Sequence, residues 1–456
     1  MLNGMSISLS ISFITLIAMK TLDLKWVWPF FGALLFPTCS ATDNQAVKNE
    51  IPIGNNRIDS LNTINDFFIQ EDQQPLTKVS HVAFSPDGKM MSICDIGSYS
   101  CFLVSTSTGK TYDIIKSHYS MMDSVALYIK FADSSTSDRI VTMQDLIASG
   151  KKNKQQINIQ QISSQLSTEF FSTIFLSNDQ IIGNSLTRVL LERGQGDNVQ
   201  RGVASLPTLF CYSLADKKIK NFHPYENENY NNGPSPILGN IALNYLDIIV
   251  SPYIDFFNMS KRQYDNIKAI GFFDFNGKKI STTLSLPKEY GEYQLDYNMY
   301  HLYLCEGENN HIYAMNSKIP RVFDATNNHS FEMKNMPEYA NNKAYLINAS
   351  SLKQDSISQY FGFISTGLYS KKSQSLMVVG YWKDEFDRFD VNKYTWFVQE
   401  YSVDGKLIGM RTLLNKSDSD KGKIQWITYS KSNNAVYVFY LSKKNGWRVV
   451  AYQWRP

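Results

Sequence analysis

Between His81 and Lys110 the chain cycles between short apolar segments and tight turns. The apolar residues 82–84 lead into Ser85–Lys89, where proline presets φ and Asp-Gly supplies the left-handed residue of a hairpin turn. Further apolar segments follow at Met90–Cys94 and Cys101–Ser105, each with its own turn, and another begins after Lys110. The pattern predicts four short antiparallel strands joined by tight turns.

The same order of strand and turn returns three more times. In Phe210–Lys218, Phe272–Lys278 and Gln399–Lys406, an apolar strand ends at an Asp or Asn turn that carries a lysine, and another strand follows. Such turns are common in any hairpin, but four copies in one order favour a repeat. A four-stranded meander cannot bury both of its faces alone, whereas sheets stacked around an axis can. We therefore predict an all-β fold, a β-propeller of four-stranded antiparallel blades.

Seven units can be traced, at 76–116, 123–164, 170–222, 239–286, 300–334, 360–414 and 424–454. We favour seven blades, and six is the alternative if the second unit is degenerate. The last unit shows only three strands. A closed ring leaves no open sheet edge. We therefore expect Arg57–Ile69, at the N-terminal end of the domain, to supply the missing strand of the last unit and so close the ring.

The N-terminal residues 1–39 have the shape of a targeting segment, with Lys20 and Lys25 before the apolar run 26–36. Met19 is a second candidate for the start residue. Cys39, which follows this run after Pro37 and Thr38, predicts a lipidation site, with a plain secretion signal or a retained membrane anchor as alternatives. The run is shorter than the ~20 residues that a span needs. Residues 40–56 are expected to form a flexible tether, and 57–456 a single propeller domain.

This signal-plus-cysteine start, together with FSPDGK at 84–89 and FFDFNGK at 272–278, resembles bacterial β-propeller lipoproteins of the TolB-like kind, many of unknown function. The resemblance covers about residues 57–456 as a pattern. It implies a propeller in the cell envelope of a bacterium, as a periplasmic or outer-membrane lipoprotein, or else a secreted protein. None of its motifs carries a function across.

Composition removes several classes of protein. The 45 basic and 42 acidic residues nearly balance, whereas a nucleic-acid binder needs a concentrated basic face. The five cysteines form no CxxC and no histidine follows at metal spacing, so structural zinc and haem attachment are not expected. Cys94 and Cys101 flank one hairpin. They predict either a disulfide or two buried free thiols.

Two loops carry residue types that bind ligands. The segment 382–396 offers the candidate ligand residues Trp382, Asp384, Glu385, Asp387 and Asp390. Closely spaced oxygen ligands suit calcium, and paired carboxylates suit acid–base chemistry on sugars; the third interpretation is a solvated hairpin loop. The connector 223–236 places Tyr225 and Tyr230 among Asn and Pro, where aromatic rings either stack on a ligand or pack on the sheet.

No assembled catalytic set is visible. The chain lacks a G-x-S-x-G nucleophile elbow, and each of its six histidines stands alone, which is typical of structural residues. The leading hypothesis is an exported or lipid-anchored, non-catalytic module that binds a protein, peptide or glycan on one propeller face. The alternatives are a hydrolase or lyase acting on glycans with carboxylates near the central channel, and a structural component of an envelope complex. No cofactor except calcium is expected, no nucleic acid, and membrane contact only through the N-terminal lipid.

Overall fold

The computed structural model describes residues 57–70, 74–118, 121, 138–141, 167–193, 200–226, 235–236, 240–243, 249–254, 268–285, 302–307, 311–316, 320–327, 329–336, 363–370, 374–383, 394–414, 421–442 and 445–454. Apart from a short 3-10 helix at Ile58–Ser60, the elements of this part of the chain are 26 β-strands. They form six antiparallel sheets. No helix among these residues is long and apolar enough to cross a bilayer.

The strands of each sheet run in order from the ring axis to the perimeter. The first comprises β2 (Val79–Phe84), β3 (Met90–Asp95), β4 (Ser100–Ser105) and β5 (Thr111–Lys116). In the second, β8 (Gln180–Arg193) pairs with both β6 (Asp138–Val141) and β7 (Thr168–Ser177), and β9 (Gln200–Ser213) and β10 (Lys218–Pro224) follow. In the third, β13 (Ile249–Ile254) pairs with both β11 (Ser235–Pro236) and β12 (Ala242–Leu243), and β14 (Lys268–Phe273) and β15 (Lys279–Ser285) follow.

The remaining three sheets have four strands each. They are β16 (Leu302–Glu306), β17 (Ile312–Asn316), β18 (Arg321–Asp324) and β19 (His329–Glu332); then β20 (Phe363–Ser370), β21 (Ser375–Lys383), β22 (Tyr394–Ser402) and β23 (Leu407–Leu414); and finally β24 (Lys423–Ser430), β25 (Ala435–Ser442) and β26 (Gly446–Gln453), with β1 (Thr63–Phe68) outermost.

The innermost strands meet around an axis. β2 contacts β7, β12 contacts β16, β16 contacts β20, β20 contacts β24, and β24 returns to β2. The second and third sheets are joined by a hydrogen bond of 3.0 Å from the Ile241 N–H to the Ser172 hydroxyl. The predicted β-propeller architecture of antiparallel blades is therefore confirmed.

The chain closes its ring with strands from both ends. β1 pairs antiparallel with β26, from Thr63 opposite Tyr452 to Phe68 opposite Arg448. Trp447 also donates a hydrogen bond of 2.6 Å from its indole to the Leu76 carbonyl, in the segment that leads into β2. The predicted closure by an N-terminal strand is thus confirmed, and it leaves the last sheet with the fourth strand that its own segment lacks.

The sequence of β25 shows why the sheets need one another. Val436, Val438 and Tyr440 pack against the preceding sheet, and the alternate residues Tyr437 and Phe439 pack against the first sheet. Successive side chains of a strand point to opposite faces. With both faces buried, the strand reads as a continuous apolar run. Five such clusters of buried apolar residues are found between neighbouring sheets in the described residues.

The favoured count of seven blades is wrong, because the described strands form six sheets. The error lies in the predicted units 123–164 and 170–222. In the structure, the described strand of the first of these units, Asp138–Val141, pairs with the far half of the long β8, opposite Leu190–Arg193. The two units therefore share one sheet. An apolar strand can extend a neighbour's sheet as readily as start its own, and the alternation pattern does not distinguish the two cases.

The outermost strands are interrupted at one position each in five of the six sheets. The register slips by one residue at Ile64, Tyr112, Lys220, Ile280 and Ile408. A bulge on an edge strand breaks the row of free backbone groups and twists the edge away from a pairing partner. The ring therefore carries a repeated feature that opposes edge-to-edge aggregation.

Candidate functional site

A cavity of about 400 Å³ lies where the innermost strands end. Five of the six sheets contribute to its lining, by residues His81–Phe84 and Pro86, Ile174 and Phe175, Asn240–Leu243, Leu304–Glu306, and Tyr429, Lys431 and Ser432. We call this space the central cavity. It opens at the face that carries the turns following β2 and β24, which contact each other through a 3.0 Å hydrogen bond from the Asn433 amide to the Gly88 carbonyl.

Most of the lining is aliphatic or aromatic, because apolar residues at and near the ends of the inner strands supply most of it. His81 is the exception on β2, and it is 9% exposed. The Thr173 backbone N–H donates to its Nδ1 at 3.4 Å. Because Nδ1 accepts, the proton of the neutral ring sits on Nε2, which has no hydrogen-bond partner among the described residues. Burial lowers the pKa of His81 to about 4, so the ring is a neutral donor at ordinary pH.

Asn240 connects two parts of the cavity wall. Its side-chain amide donates to the Leu304 carbonyl and accepts a hydrogen bond of 2.7 Å from the Leu304 N–H. Both groups of one residue on the inner strand β16 are satisfied by a buried side chain from the third sheet. A fully satisfied polar pair of this kind rigidifies the surrounding structure. The chain just before β12 is therefore tied to β16 at the lining of the cavity.

An ion pair stands at the edge of the central cavity. Lys431, in the turn after β24, contacts Glu306 at the end of β16. Both side chains are more than a third exposed, so solvent screens the pair. The neighbouring Ser432 hydroxyl donates to the Ser85 carbonyl at 3.1 Å, which links this turn to the first sheet.

The described lining of the central cavity carries few groups with acid–base chemistry. The described lining contains one carboxylate, Glu306, already paired, and one histidine, His81. Hydrolysis of glycosides generally requires two carboxylates across the scissile bond. Within the described ranges, no three His, Cys, Asp or Glu residues come together as metal ligands. An apolar cavity with one buried donor and charged groups at its edge is the usual form of a small ligand site.

The sequence-predicted site residues that the structure describes lie elsewhere. Trp382 is 4% exposed on β21 and stacks on Phe397, with ring centroids 5.1 Å apart. Tyr225 is 2% exposed and meets Phe273 edge to face at 4.8 Å. Both rings pack between sheets, so the structure brings neither of them to the central cavity. The four carboxylates Asp384, Glu385, Asp387 and Asp390, together with Tyr230 and Cys39, lie outside the described residues.

Cys94 and Cys101 are direct cross-strand partners on β3 and β4, as their positions around one hairpin suggest. Both are fully buried, and both are free thiols in this structure. The hydrogen bond with Cys94, followed by burial, raises the pKa of the Cys101 thiol.

Sequence reasoning missed the residues that shape the central cavity. His81 and Asn240 stand alone in the sequence and match no motif. The available signal was weak: His81 is an ionisable residue in a strand whose next three residues, 82–84, are apolar. That signal has meaning only once β2 is known to be an innermost strand, which depends on the assembly of the whole ring.

Comparison with known proteins gives structural neighbours only. No family model matches the sequence, and no curated protein matches it. Among solved structures, the chain is similar to a DUF4221 family member from Bacteroides vulgatus, with 9% identity, 86% of this chain and 97% of that chain covered, and a TM-score of 0.48. A Bacteroides fragilis protein described as exported gives 9% identity, coverage of 88% and 97%, and a TM-score of 0.44.

A third neighbour is the β-propeller domain of Cps50 (Swd1) from Myceliophteria thermophila, at 10% identity, coverage of 87% and 100%, and a TM-score of 0.38. At these identities and scores the neighbours assign no function to this chain. The resemblance to TolB-like lipoproteins has no match at the sequence level and stays a prediction.

Proposed function

We propose that the chain is a non-catalytic binding module of the bacterial cell envelope, and that the central cavity receives an apolar side chain or terminus of a peptide or protein partner. The observation that carries this proposal is the cavity itself, about 400 Å³ of mainly apolar space at the end of the ring axis. Lipidation at Cys39 and a location in the periplasm or at the outer membrane belong to the same proposal, since the signal-like segment 1–39 supports them.

The lining favours a peptide over a glycan. Val82, Ile241 and Leu304 offer apolar contact but no hydrogen bonds, and a sugar ring buried against them would lose contacts with water. One acceptor on the ligand suffices to satisfy the N–H of His81, and a backbone carbonyl provides it. The Lys431–Glu306 pair at the edge offers both signs of charge to a peptide backbone or terminus.

Selection of a random heptapeptide library on the purified protein tests the proposal. We expect enriched peptides to carry clustered apolar residues and to displace the apolar dye 8-anilinonaphthalene-1-sulfonate (ANS) from the protein. In the variant Ala83→Leu, a larger side chain occupies part of the cavity, and peptide affinity should fall about tenfold or more. Ala215→Leu, at an exposed turn position, is the matched control and should bind as the native protein does.

Thermal midpoints of both variants establish that they fold; if Ala83→Leu does not, Ala242→Val replaces it. A library without apolar enrichment, or equal affinities for Ala83→Leu and Ala215→Leu, contradicts the proposal. Turnover of a chromogenic glycoside that disappears in Glu306→Gln would replace it with the enzymatic alternative.

A further inference from the structure

A second concave site lies on the perimeter of the ring, away from the central cavity. It is a groove of about 660 Å³ between the outermost strands β5 and β10 of the first two sheets. Its lining includes Lys116, Lys217, Lys218 and Lys220, and we call it the lysine groove. The Tyr212 hydroxyl of the second sheet donates a hydrogen bond to the Asp113 carboxylate of the first sheet.

Positive charge exceeds negative charge in the lysine groove, where four lysines face the carboxylates of Asp113 and Asp216. Lys220 pairs with Asp216, with 2.6 Å between Nζ and Oδ2. Lys217 donates to the Tyr112 carbonyl at 3.4 Å, which leaves its charge uncompensated. Lys116 and Lys218 are exposed and form no ion pair among the described residues, although the charge of Lys218 adds to the hydrogen bond from Lys220 in lowering the pKa of Asp216. His118 and His223 also line the groove. Four lysines in one groove form a local concentration of positive charge in a chain whose net charge is only +3.

The backbone at Lys217 supports a role for this residue. Its φ is +52°, in the left-handed region that side chains disfavour. The corresponding turns of three other sheets place Gly109, Gly277 and Gly405 in this conformation, each followed by a lysine. Glycine would relieve the strain, so the turn carries a lysine at a conformational cost. Strain retained where a less strained residue fits indicates that the side chain has a use.

We propose that the lysine groove binds a multivalent oxyanion of small-molecule size, a compound with two or more closely spaced phosphate or sulfate groups. Ammonium groups form strong charge-assisted hydrogen bonds to such oxygens, and a site of this volume accommodates more than one group. An extended peptide added as a strand fits less well, because the bulge at Lys220 interrupts the free edge of β10.

Titration of the full chain with tripolyphosphate and with sucrose octasulfate, followed by calorimetry, tests the proposal and distinguishes the two sources. We expect one site per chain for at least one of the probes, much weaker binding of inorganic phosphate, and affinity that falls as NaCl is raised. Lys218→Gln should weaken binding about tenfold. Lys406→Gln alters the lysine that follows the left-handed residue of another turn, and as the matched control it should have no effect.

Lys217→Gly separates function from fold. We expect the variant to keep or raise its thermal midpoint, since glycine suits the left-handed turn, while its affinity for the probe falls. A lower midpoint with unchanged affinity would assign Lys217 a purely structural role and overturn the proposal. Absence of saturable binding of both probes, or equal losses in Lys218→Gln and Lys406→Gln, would overturn it as well. None of these results depends on the central cavity.

Discussion

Arg448 in β26 donates two hydrogen bonds to Asp66 in β1, at 2.8 Å from Nε and 2.6 Å from Nη2, across 382 residues of sequence. The hydrogen bond from Arg448 lowers the pKa of Asp66. The two side chains are 24% and 34% exposed, so solvent screens the pair and its contribution to stability is roughly 1 kcal/mol or less. The pair sets the register of the closing strand, and most of the free energy of closure must come from buried apolar contacts.

Substitutions of Phe67 and Phe68 test whether buried apolar contacts supply most of the free energy of ring closure. Phe67 is 7% exposed and packs in the cluster between the last and first sheets, whereas Phe68, on the other face of β1, is 42% exposed. Phe67→Ala should lower the free energy of unfolding by about 3 to 5 kcal/mol, and Phe68→Ala by less than about 1 kcal/mol. Urea denaturation measures both. Equal losses would mean that β1 does not close the ring in the described register.

Gly109 and Gly446 separate steric from conformational effects. Their φ angles are +72° and +71°, but a Cβ on Gly109 would lie 2.0 Å from the Phe68 carbonyl oxygen, while one on Gly446 would meet nothing within 4 Å. Gly446→Ala should cost roughly 1 to 2 kcal/mol for the left-handed backbone alone. Gly109→Ala should cost about 3 kcal/mol or more, since β1 must also move. Similar midpoints of thermal unfolding for the two variants would argue against a close approach of the first sheet's turn to β1.

The fold class, the hairpin turns and the closing strand could all be predicted from sequence, because each depends on local patterns. Asp-Gly at 87–88 marks a turn wherever it occurs, and the last unit visibly lacks a strand. The count of sheets could not be predicted. Whether Asp138–Val141 begins a sheet or pairs with β8 depends on contacts between segments about 50 residues apart. The alternation of apolar and polar residues within one segment does not predict such contacts.

The candidate site was still less accessible from sequence. Trp382 and Tyr225 have the residue types that bind ligands, yet both are needed to fill space between sheets. His81 and Asn240 became visible only when β2, β12 and β16 were placed around one axis. Because the lining residues come from five separate sheets, they show no regular spacing in the sequence.

His81 should make stability depend on pH above the range where carboxylates titrate. Burial lowers its pKa from 6.5 to about 4, so between these values the unfolded chain binds a proton that the folded chain does not. The part of the free energy of unfolding that depends on His81 is therefore highest above pH 6.5. It falls as the pH decreases, by about 2 kcal/mol between pH 7 and pH 5. Urea denaturation at several pH values should show a shallower dependence for His81→Gln than for the native protein.

His329→Gln, at an exposed position on β19, is the control for this dependence and should leave it unchanged. Identical profiles for the native protein and His81→Gln would show that the imidazole is hydrated in the folded state and is not a neutral donor facing the central cavity.

Cys94 and Cys101 are free thiols in the structure, although cross-strand partners in an antiparallel pair lie at separations that a disulfide can span. We expect thiols. Both residues are inaccessible to an oxidant, and the raised pKa of Cys101 keeps its reactive thiolate fraction small. N-ethylmaleimide should therefore leave both unmodified in the folded protein. Both should react once the protein is unfolded in urea without reductant, as peptide mass spectrometry will show. The variant Ala215→Cys supplies an exposed thiol that must react in the folded state, and peptides joined through Cys94 and Cys101 until a reductant is added would establish the disulfide instead.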